Sequence, residues 1–357
     1  MSDLLDPPYG ARDASGMAAR IAAIPEQIER AVEEGAAHPW KIPIPGPDLL
    51  ATGALGGSAI STDLAAAACS DRLPRPVLTV REYRWPACVG RGSLALLASF
   101  SGNTEETLAL YDEAGARGVP RVVMTTGGEL AERAGRDGVH VRRLPAGGSP
   151  RAAIYASWVA VTDLFHALGW LANPAAEWRE AVPLLRARNA TLGIDVPESR
   201  NPAKRLARSI GERPVYVYAA SERLGPMATR VRNQINENAK LLGHSALVPE
   251  LNHNEIVGWE RPGTIGRDAV VLILRDAEDA PEADLRLTLT ADYVRQRGAE
   301  VVEVREAEGP RLARLAAHGQ FGDYLSLYLA LLRDTDPTPI ASIDWFKQKL
   351  GERKARA

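Results

Sequence analysis

The chain has 357 residues, of which 45% are hydrophobic and 25% charged, and its formal net charge is −2. These fractions are normal for a globular protein, and a near-neutral charge does not predict a nucleic-acid-binding surface. No apolar run is long enough to span a membrane, and residues 1–6 carry acids rather than the basic start of a secretory signal. Cys69 and Cys88 have no spacing typical of a metal site or a disulfide framework, so we expect a cytoplasmic protein without membrane or nucleic-acid partners.

An N-terminal helical segment is predicted for residues 1–48. Apolar residues recur every three or four positions between residues 17 and 34, which is the spacing of one helix face. Prolines then punctuate residues 39–47 and separate this segment from the rest of the chain.

Short apolar runs alternate with helical stretches between residues 49 and 195. Continuous apolar strands between amphipathic helices are typical of a parallel sheet that helices cover on both faces. The predicted strands are 49–52, 77–83, 94–100, 121–126 and 139–144, and the predicted helices are 104–116 and 153–171.

The same pattern restarts after Pro197 and Pro202, where we place the domain boundary. The predicted strands are 215–220, 269–274 and 300–304, and the predicted helices are 224–242, 285–297 and 312–332. The fold class is therefore α/β, with two three-layer α/β/α domains over 49–195 and 196–335, each with a mainly parallel sheet. A helical tail is expected over 336–357.

The strongest local signal is a serine-rich loop between a buried strand and a helix. It carries Ser99, Ser101 and Thr104, whose hydroxyls can donate to an anion, and Asn103 with Glu106 resembles a capping box. Helix starts expose unpaired N–H groups, so this loop predicts a binding site for a phosphate monoester. The alternative is that these side chains only cap the helix.

A second Gly/Ser loop, residues 53–58, also follows a strand and includes Gly57 and Ser58. Its glycine spacing does not match the dinucleotide-binding pattern, and we find no acid placed to bind a ribose. In an open α/β sheet both loops would lie at the carboxyl ends of strands, where ligands bind.

These loops resemble those of the sugar isomerase (SIS) fold, and downstream residues narrow the resemblance. Residues 232–240 read RNQINENAK and residues 249–259 read PELNHNEIVGW, while IPEQI opens the chain at 24–28 and IDWFK closes it at 343–347. Together they look like the bifunctional phosphoglucose/phosphomannose isomerase family, from about residue 16 to residue 350.

The resemblance implies two SIS domains and an aldose–ketose isomerase of carbohydrate metabolism, in glycolysis or gluconeogenesis. Its substrates would be glucose 6-phosphate, mannose 6-phosphate and fructose 6-phosphate, interconverted through a cis-enediol without a metal or cofactor. It makes Glu237 the base, places Arg151 near the enediolate oxygens and puts Lys347 on a helix that closes over the sugar. It makes His253 a ring-opening residue that reaches the partner subunit's site, which implies a homodimer. The implied phosphate ligands are Gly57, Ser58, Ser99, Ser101 and Thr104.

Taken without the family, each of these residues has a plainer interpretation. Glu237 would be a solvated glutamate, although the amides beside it on the same helix favour a polar cleft. Arg151 would be a surface arginine, Lys347 part of a basic tail, and His253 a loop histidine bonded to the asparagines on either side of it.

The first loop also departs from the family pattern. Two positions that are usually glycine are Ala54 and Thr62, which leaves the phosphate contact of Ser58 open and could shift the substrate.

Other functions compete with this isomerase. A non-catalytic phosphosugar sensor would lack the base and carry a DNA-binding module, and residues 1–48 show no helix-turn-helix pattern. An amidotransferase-type isomerase would need a domain with an N-terminal cysteine nucleophile, which we do not expect here. An isomerase for another phosphosugar stays open.

Overall fold

A computed structural model describes residues 4–147, 149–306 and 308–354. Residues 49–143 contain a five-stranded sheet of order β2-β1-β3-β4-β5, in which every neighbouring pair is parallel. Its strands are β1 (Leu49–Ala54), β2 (Val77–Val80), β3 (Ser93–Ala98), β4 (Arg121–Thr125) and β5 (Val141–Arg143). Every residue of β3 is buried, which explains the apolar run from Leu94 to Ala98.

Residues 215–306 contain a second, four-stranded parallel sheet of order β7-β6-β8-β9. Its strands are β6 (Val215–Ala220), β7 (Gly243–Val248), β8 (Val270–Asp276) and β9 (Glu300–Glu306). The two parallel sheets confirm the predicted fold class, whereas the domain limits stay a prediction. Strand β7 was not predicted, because it lies at an edge, is only partly buried and reads GHSALV without a continuous apolar run.

Helices cover and connect the two sheets. Before and within the first half they are α1 (Met17–Ala22), α2 (Ile24–Ala37), α3 (Gly56–Ala68), α4 (Glu105–Ala116), α5 (Gly128–Arg136), α6 (Ile154–Ala167) and α7 (Ala175–Leu192). The others are α8 (Pro202–Ile210), α9 (Gly225–Ala239), α10 (Glu255–Gly258), α11 (Gly263–Asp268), α12 (Pro281–Gln296), α13 (Arg311–Leu332) and α14 (Ala341–Lys354). None of the described helices combines the length and apolarity needed to cross a membrane.

Several helices were absent from the sequence prediction, and one predicted helix was too long. Helices α3, α5 and α8 were missed; α3 starts with two glycines and is mostly alanine and small polar residues, so it shows no amphipathic stripe. The predicted helix 224–242 ends at Ala239, because Lys240 has φ 52°. Leu242, which the predicted helix included, lies beyond this end and is 86% exposed.

Helix α13 joins the two halves. Every residue from Leu312 to Leu331 is buried, and the helix packs on α7, α8 and α9. One hydrophobic core contains residues of both sheets, including Leu96 of β3 and Leu272 of β8. The elements that carry the candidate site are therefore held by a shared core.

The fully buried His318 of α13 makes stability depend on pH. Burial lowers its pKa from 6.5 to about 4, while its Nε2 lies 3.0 Å from the carbonyl oxygen of Arg275. Below about pH 6.5 the unfolded chain binds a proton on this imidazole that the folded chain does not, so stability falls as the pH drops towards 4. Between about pH 7 and pH 5, we expect the free energy of unfolding in urea to fall by about 2 kcal/mol more for wild type than for His318→Gln. Equal losses would contradict this.

Candidate active site

The loop after β3 brings two of the three predicted hydroxyls, those of Ser99 and Thr104, into contact. Ser99 Oγ lies 2.8 Å from Thr104 Oγ1 and accepts a hydrogen bond from the Gly102 N–H at 3.1 Å, while Ser101 Oγ accepts from the Asn103 N–H at 3.2 Å. Ser99 is buried, and Ser101 is exposed. The loop lies at the carboxyl end of β3 and leads into α4, as predicted for an anion site.

The predicted capping box is wrong. Thr104, not Asn103, precedes the first turn of α4, and no side chain caps that turn. The Asn103 side chain instead accepts a hydrogen bond from the Glu129 N–H at 3.1 Å, at the start of α5. Neighbouring loops meet at the same sheet edge, so the amide reaches an unpaired donor of the adjacent helix.

The loops after β3 and β4 are locked together through glycine. Gly102 has φ 73°, and a Cβ added to it would lie 1.9 Å from the carbonyl oxygen of Gly127. The Leu130 N–H donates to the Gly102 carbonyl at 2.9 Å, and the Thr126 N–H donates to the Phe100 carbonyl at 3.1 Å. The shape of the serine loop therefore depends on the absence of a side chain at Gly102.

The serine loop is the predicted phosphate site, so we expect Gly102→Ala to raise KM for a phosphorylated ligand at least about tenfold, because the loop must move to relieve the clash. The matched control is Gly138→Ala, since Gly138 has φ 66° but open space around its Cβ position. Both variants carry the cost of an alanine in the left-handed region, about 1 kcal/mol. The difference between them in steady-state kinetics and thermal unfolding therefore reports the clash alone. Equal KM values in the two variants would rule out this role of the loop.

Gly57 and Ser58 lie in the first turn of α3, rather than in a loop. A Cβ on Gly57 would lie 3.1 Å from the Pro150 carbonyl oxygen and 3.6 Å from the Arg151 nitrogen. The close approach of α3 to the turn at Pro150–Ala152 therefore depends on Gly57. Both residues that depart from the family pattern, Ala54 and Thr62, are fully buried.

Arg151 and Glu237, which are 86 positions apart in the sequence, meet at the junction of the two halves. Arg151 Nη1 lies 3.6 Å from Glu237 Oε2, and the two side chains are 5% and 34% exposed. The Arg151 guanidinium also donates from Nε to Asn238 Oδ1 at 2.7 Å, and from Nη2 to the carbonyls of Pro337 and Thr338 at 2.7 and 2.8 Å. The interpretation of Arg151 as a surface residue is therefore wrong, since it is buried and held by four neighbours.

A buried ion pair lies behind Arg151 and was not found by sequence reasoning. Arg230 Nη2 donates to both carboxylate oxygens of Asp323 at 2.7 and 2.9 Å, and to the Arg151 carbonyl at 3.2 Å. Tyr155 Oη and Gln234 Nε2 also donate to Asp323, at 2.9 and 2.6 Å. This network ties α6, α9 and α13 to the turn that carries Arg151.

Lys240 is a second cation at the site that sequence reasoning left without a role. It ends α9 and donates from Nζ to the carbonyls of Glu237 at 3.0 Å, Asp336 at 3.0 Å and Pro337 at 3.2 Å. Burial lowers the pKa of Lys240, and the charge of Arg151 lowers it further. Arg151 and Lys240 together hold residues 336–338, which lead into α14.

His253 and Lys347 are both exposed, in the turn at Glu250–His253 and in α14. Within the described ranges no hydrogen bond or ion pair joins either side chain to Arg151, Glu237 or the serine loop. The asparagines beside His253 do not bond to it: Asn252 donates to Thr290 and Asn254 to Glu250, at 2.8 and 2.6 Å. The same ranges contain no group of three His, Cys, Asp or Glu side chains placed to hold a metal ion.

Comparisons with known proteins cover nearly the whole chain. A family model for the bacterial phospho-glucose isomerase C-terminal SIS domain matches residues 199–350. A bifunctional phosphoglucose/phosphomannose isomerase of Caldicellulosiruptor bescii is 37% identical over 93% of this chain and 98% of its own length.

Two solved structures from Thermus thermophilus share the fold. One, a hypothetical protein, has a TM-score of 0.71 at 18% identity and covers 95% of this chain and 91% of its own. The other, a glucose-6-phosphate isomerase like protein, has a TM-score of 0.61 at 20% identity and covers 95% and 96%.

Proposed function

This chain belongs to the bifunctional phosphoglucose/phosphomannose isomerase family and is a phosphosugar isomerase, and we propose that it interconverts glucose 6-phosphate and mannose 6-phosphate with fructose 6-phosphate. The observation that carries this proposal is the contact between Arg151 and Glu237, 3.6 Å apart at the junction of the two halves. It puts a carboxylate and a fixed cation together, which are the two groups that proton transfer through an enediolate requires.

The phosphate would be held by the loop of Ser99, Ser101 and Thr104 and by the start of α3 at Gly57 and Ser58. Serine and threonine hydroxyls and unpaired helix N–H groups are suited to a phosphate ester. This anchor would leave the C1–C2 end of the open-chain sugar to the residues of the second half.

Glu237 would then take the proton from C2 of the aldose and deliver a proton to C1, giving the ketose by way of a cis-enediol. The negative charge that develops on the sugar oxygens would be stabilised by Arg151, which stays protonated and donates in a fixed geometry. Glucose and mannose differ only at C2, which is trigonal in the enediol, so rotation about C2–C3 before proton return would allow both aldoses.

Ring opening would be the task of His253 from the partner subunit in a cytoplasmic homodimer, because an imidazole can both give and accept a hydroxyl proton. Its exposed position makes it accessible to a second copy. Lys347, on the exposed helix α14, would close over the bound sugar.

The test is a product assay on purified protein with fructose 6-phosphate as substrate. We expect both glucose 6-phosphate and mannose 6-phosphate, at rates that a chelator does not change. If neither forms while another phosphosugar is isomerised, the substrate assignment is wrong.

A further inference from the structure

The hydrogen bonds of Arg151 occupy Nε and Nη2 of its guanidinium and leave Nη1 unbonded within the described residues. A guanidinium has five N–H groups, one on Nε and two on each terminal nitrogen. The Nε donor goes to Asn238, and the two donors of Nη2 go to the carbonyls of Pro337 and Thr338. In the described part of the chain Nη1 makes no hydrogen bond, and the carboxylate of Glu237 is 3.6 Å from it. The free end of the guanidinium therefore lies beside the base.

Asn238 is the side chain that fixes this orientation. It is fully buried at the end of α9, directly after Glu237. Its Oδ1 accepts from Arg151, and its Nδ2 donates to Ser326 Oγ at 2.9 Å. Ser326 Oγ in turn donates to the Asp323 carbonyl at 2.9 Å, so the amide is anchored to the buried helix α13.

We propose that Asn238 is a positioning residue for the isomerisation, which aims Nη1 of Arg151 at the sugar oxygens beside Glu237. The Nε bond limits rotation of the guanidinium plane, and helix α13 supports that bond from behind. Without the amide the guanidinium keeps its charge and its two Nη2 bonds, but it loses the bond on Nε that fixes the plane in which Nη1 lies. This role rests on the proposed function, since it assumes that negative charge develops on the substrate near Nη1.

The test compares two ligands that share the phosphate but differ in charge at the reacting end. 5-Phosphoarabinonate carries a carboxylate where the enediolate is charged, whereas sorbitol 6-phosphate is neutral there. In calorimetry we expect Asn238→Ala to weaken the binding of 5-phosphoarabinonate about 10- to 100-fold and to change the affinity for sorbitol 6-phosphate less than about threefold. In kinetics kcat should fall by a similar factor, with KM nearly unchanged.

Two further variants separate positioning from general destabilisation. Asn201→Ala is the matched control, because Asn201 is also fully buried and hydrogen-bonded, but it caps α8 and donates to the Leu192 and Gly193 carbonyls instead of bonding to Arg151. It should lower the unfolding temperature without changing the ratio of the two affinities. Ser326→Ala removes the support behind Asn238, together with the Ser326 bond to the Asp323 carbonyl, but leaves the Asn238 amide in place. It should shift the ratio in the same direction by about three- to tenfold, which keeps the test decisive if Asn238→Ala does not fold.

The positioning role is overturned if wild type binds both ligands and both variants, Asn238→Ala and Ser326→Ala, keep the wild-type ratio of the two affinities. Wild type that binds neither ligand would instead overturn the proposed function, and the positioning role with it.

Discussion

Replacing Glu237 with glutamine is expected to lower kcat on fructose 6-phosphate by about 10³-fold while KM stays within about threefold. Glutamine has the shape of glutamate but cannot accept a proton from carbon. Because the side chain is partly exposed and already beside Arg151, the amide should fit without disturbing the phosphate loop. The measurement is steady-state kinetics in a coupled assay for glucose 6-phosphate.

The control for this variant is Glu260→Gln, which makes the same change at an exposed glutamate in the same half of the chain. It should keep wild-type kcat. Full activity of Glu237→Gln would remove Glu237 from the role of base and leave the proton transfer to another group.

Replacing Arg151 with lysine is expected to lower kcat about 100-fold, although the positive charge is conserved. A lysine has one nitrogen and three donors, so it cannot bond to Asn238, Pro337 and Thr338 and also present a free donor beside Glu237. Thermal unfolding should detect a loss of stability as well, because buried acceptors lose their partners.

Arg205→Lys is the matched control, since Arg205 is exposed and donates to the Ser199 carbonyl away from the site. We expect it to behave as wild type. If Arg151→Lys keeps kcat within about threefold of wild type, a charge alone is sufficient there and the fixed geometry of the guanidinium has no catalytic role.

Those parts of the fold that sequence predicted well are the ones where burial leaves a local pattern. Strand β3 is buried on both faces, so it reads as an apolar run, and the polar loop that follows it has to lie at the edge of the sheet. The hydroxyls of Ser99 and Thr104 could be placed together on that basis. Strand β7 left no such pattern, because an edge strand needs fewer apolar residues.

The contacts between the two halves could not be predicted in the same way. Arg230 and Asp323 are 93 positions apart, and nothing in a single sequence pairs them. A signal existed, since Asp323 is an acidic residue in the mostly apolar helix α13, and a buried charge requires a partner. Asn103 was assigned to the wrong helix because a capping pattern does not distinguish its own helix from a neighbour at the same sheet edge.

Isomerisation of fructose 6-phosphate in heavy water tests most directly whether Glu237 transfers a carbon-bound proton. A carboxylate that exchanges its proton with solvent should place deuterium on C2 of the glucose 6-phosphate and mannose 6-phosphate formed, as nuclear magnetic resonance detects. We expect this label with wild type, with or without a chelator, and only at a trace rate with Glu237→Gln. Deuterium at C2 that continues to appear at the wild-type rate in Glu237→Gln would contradict the account.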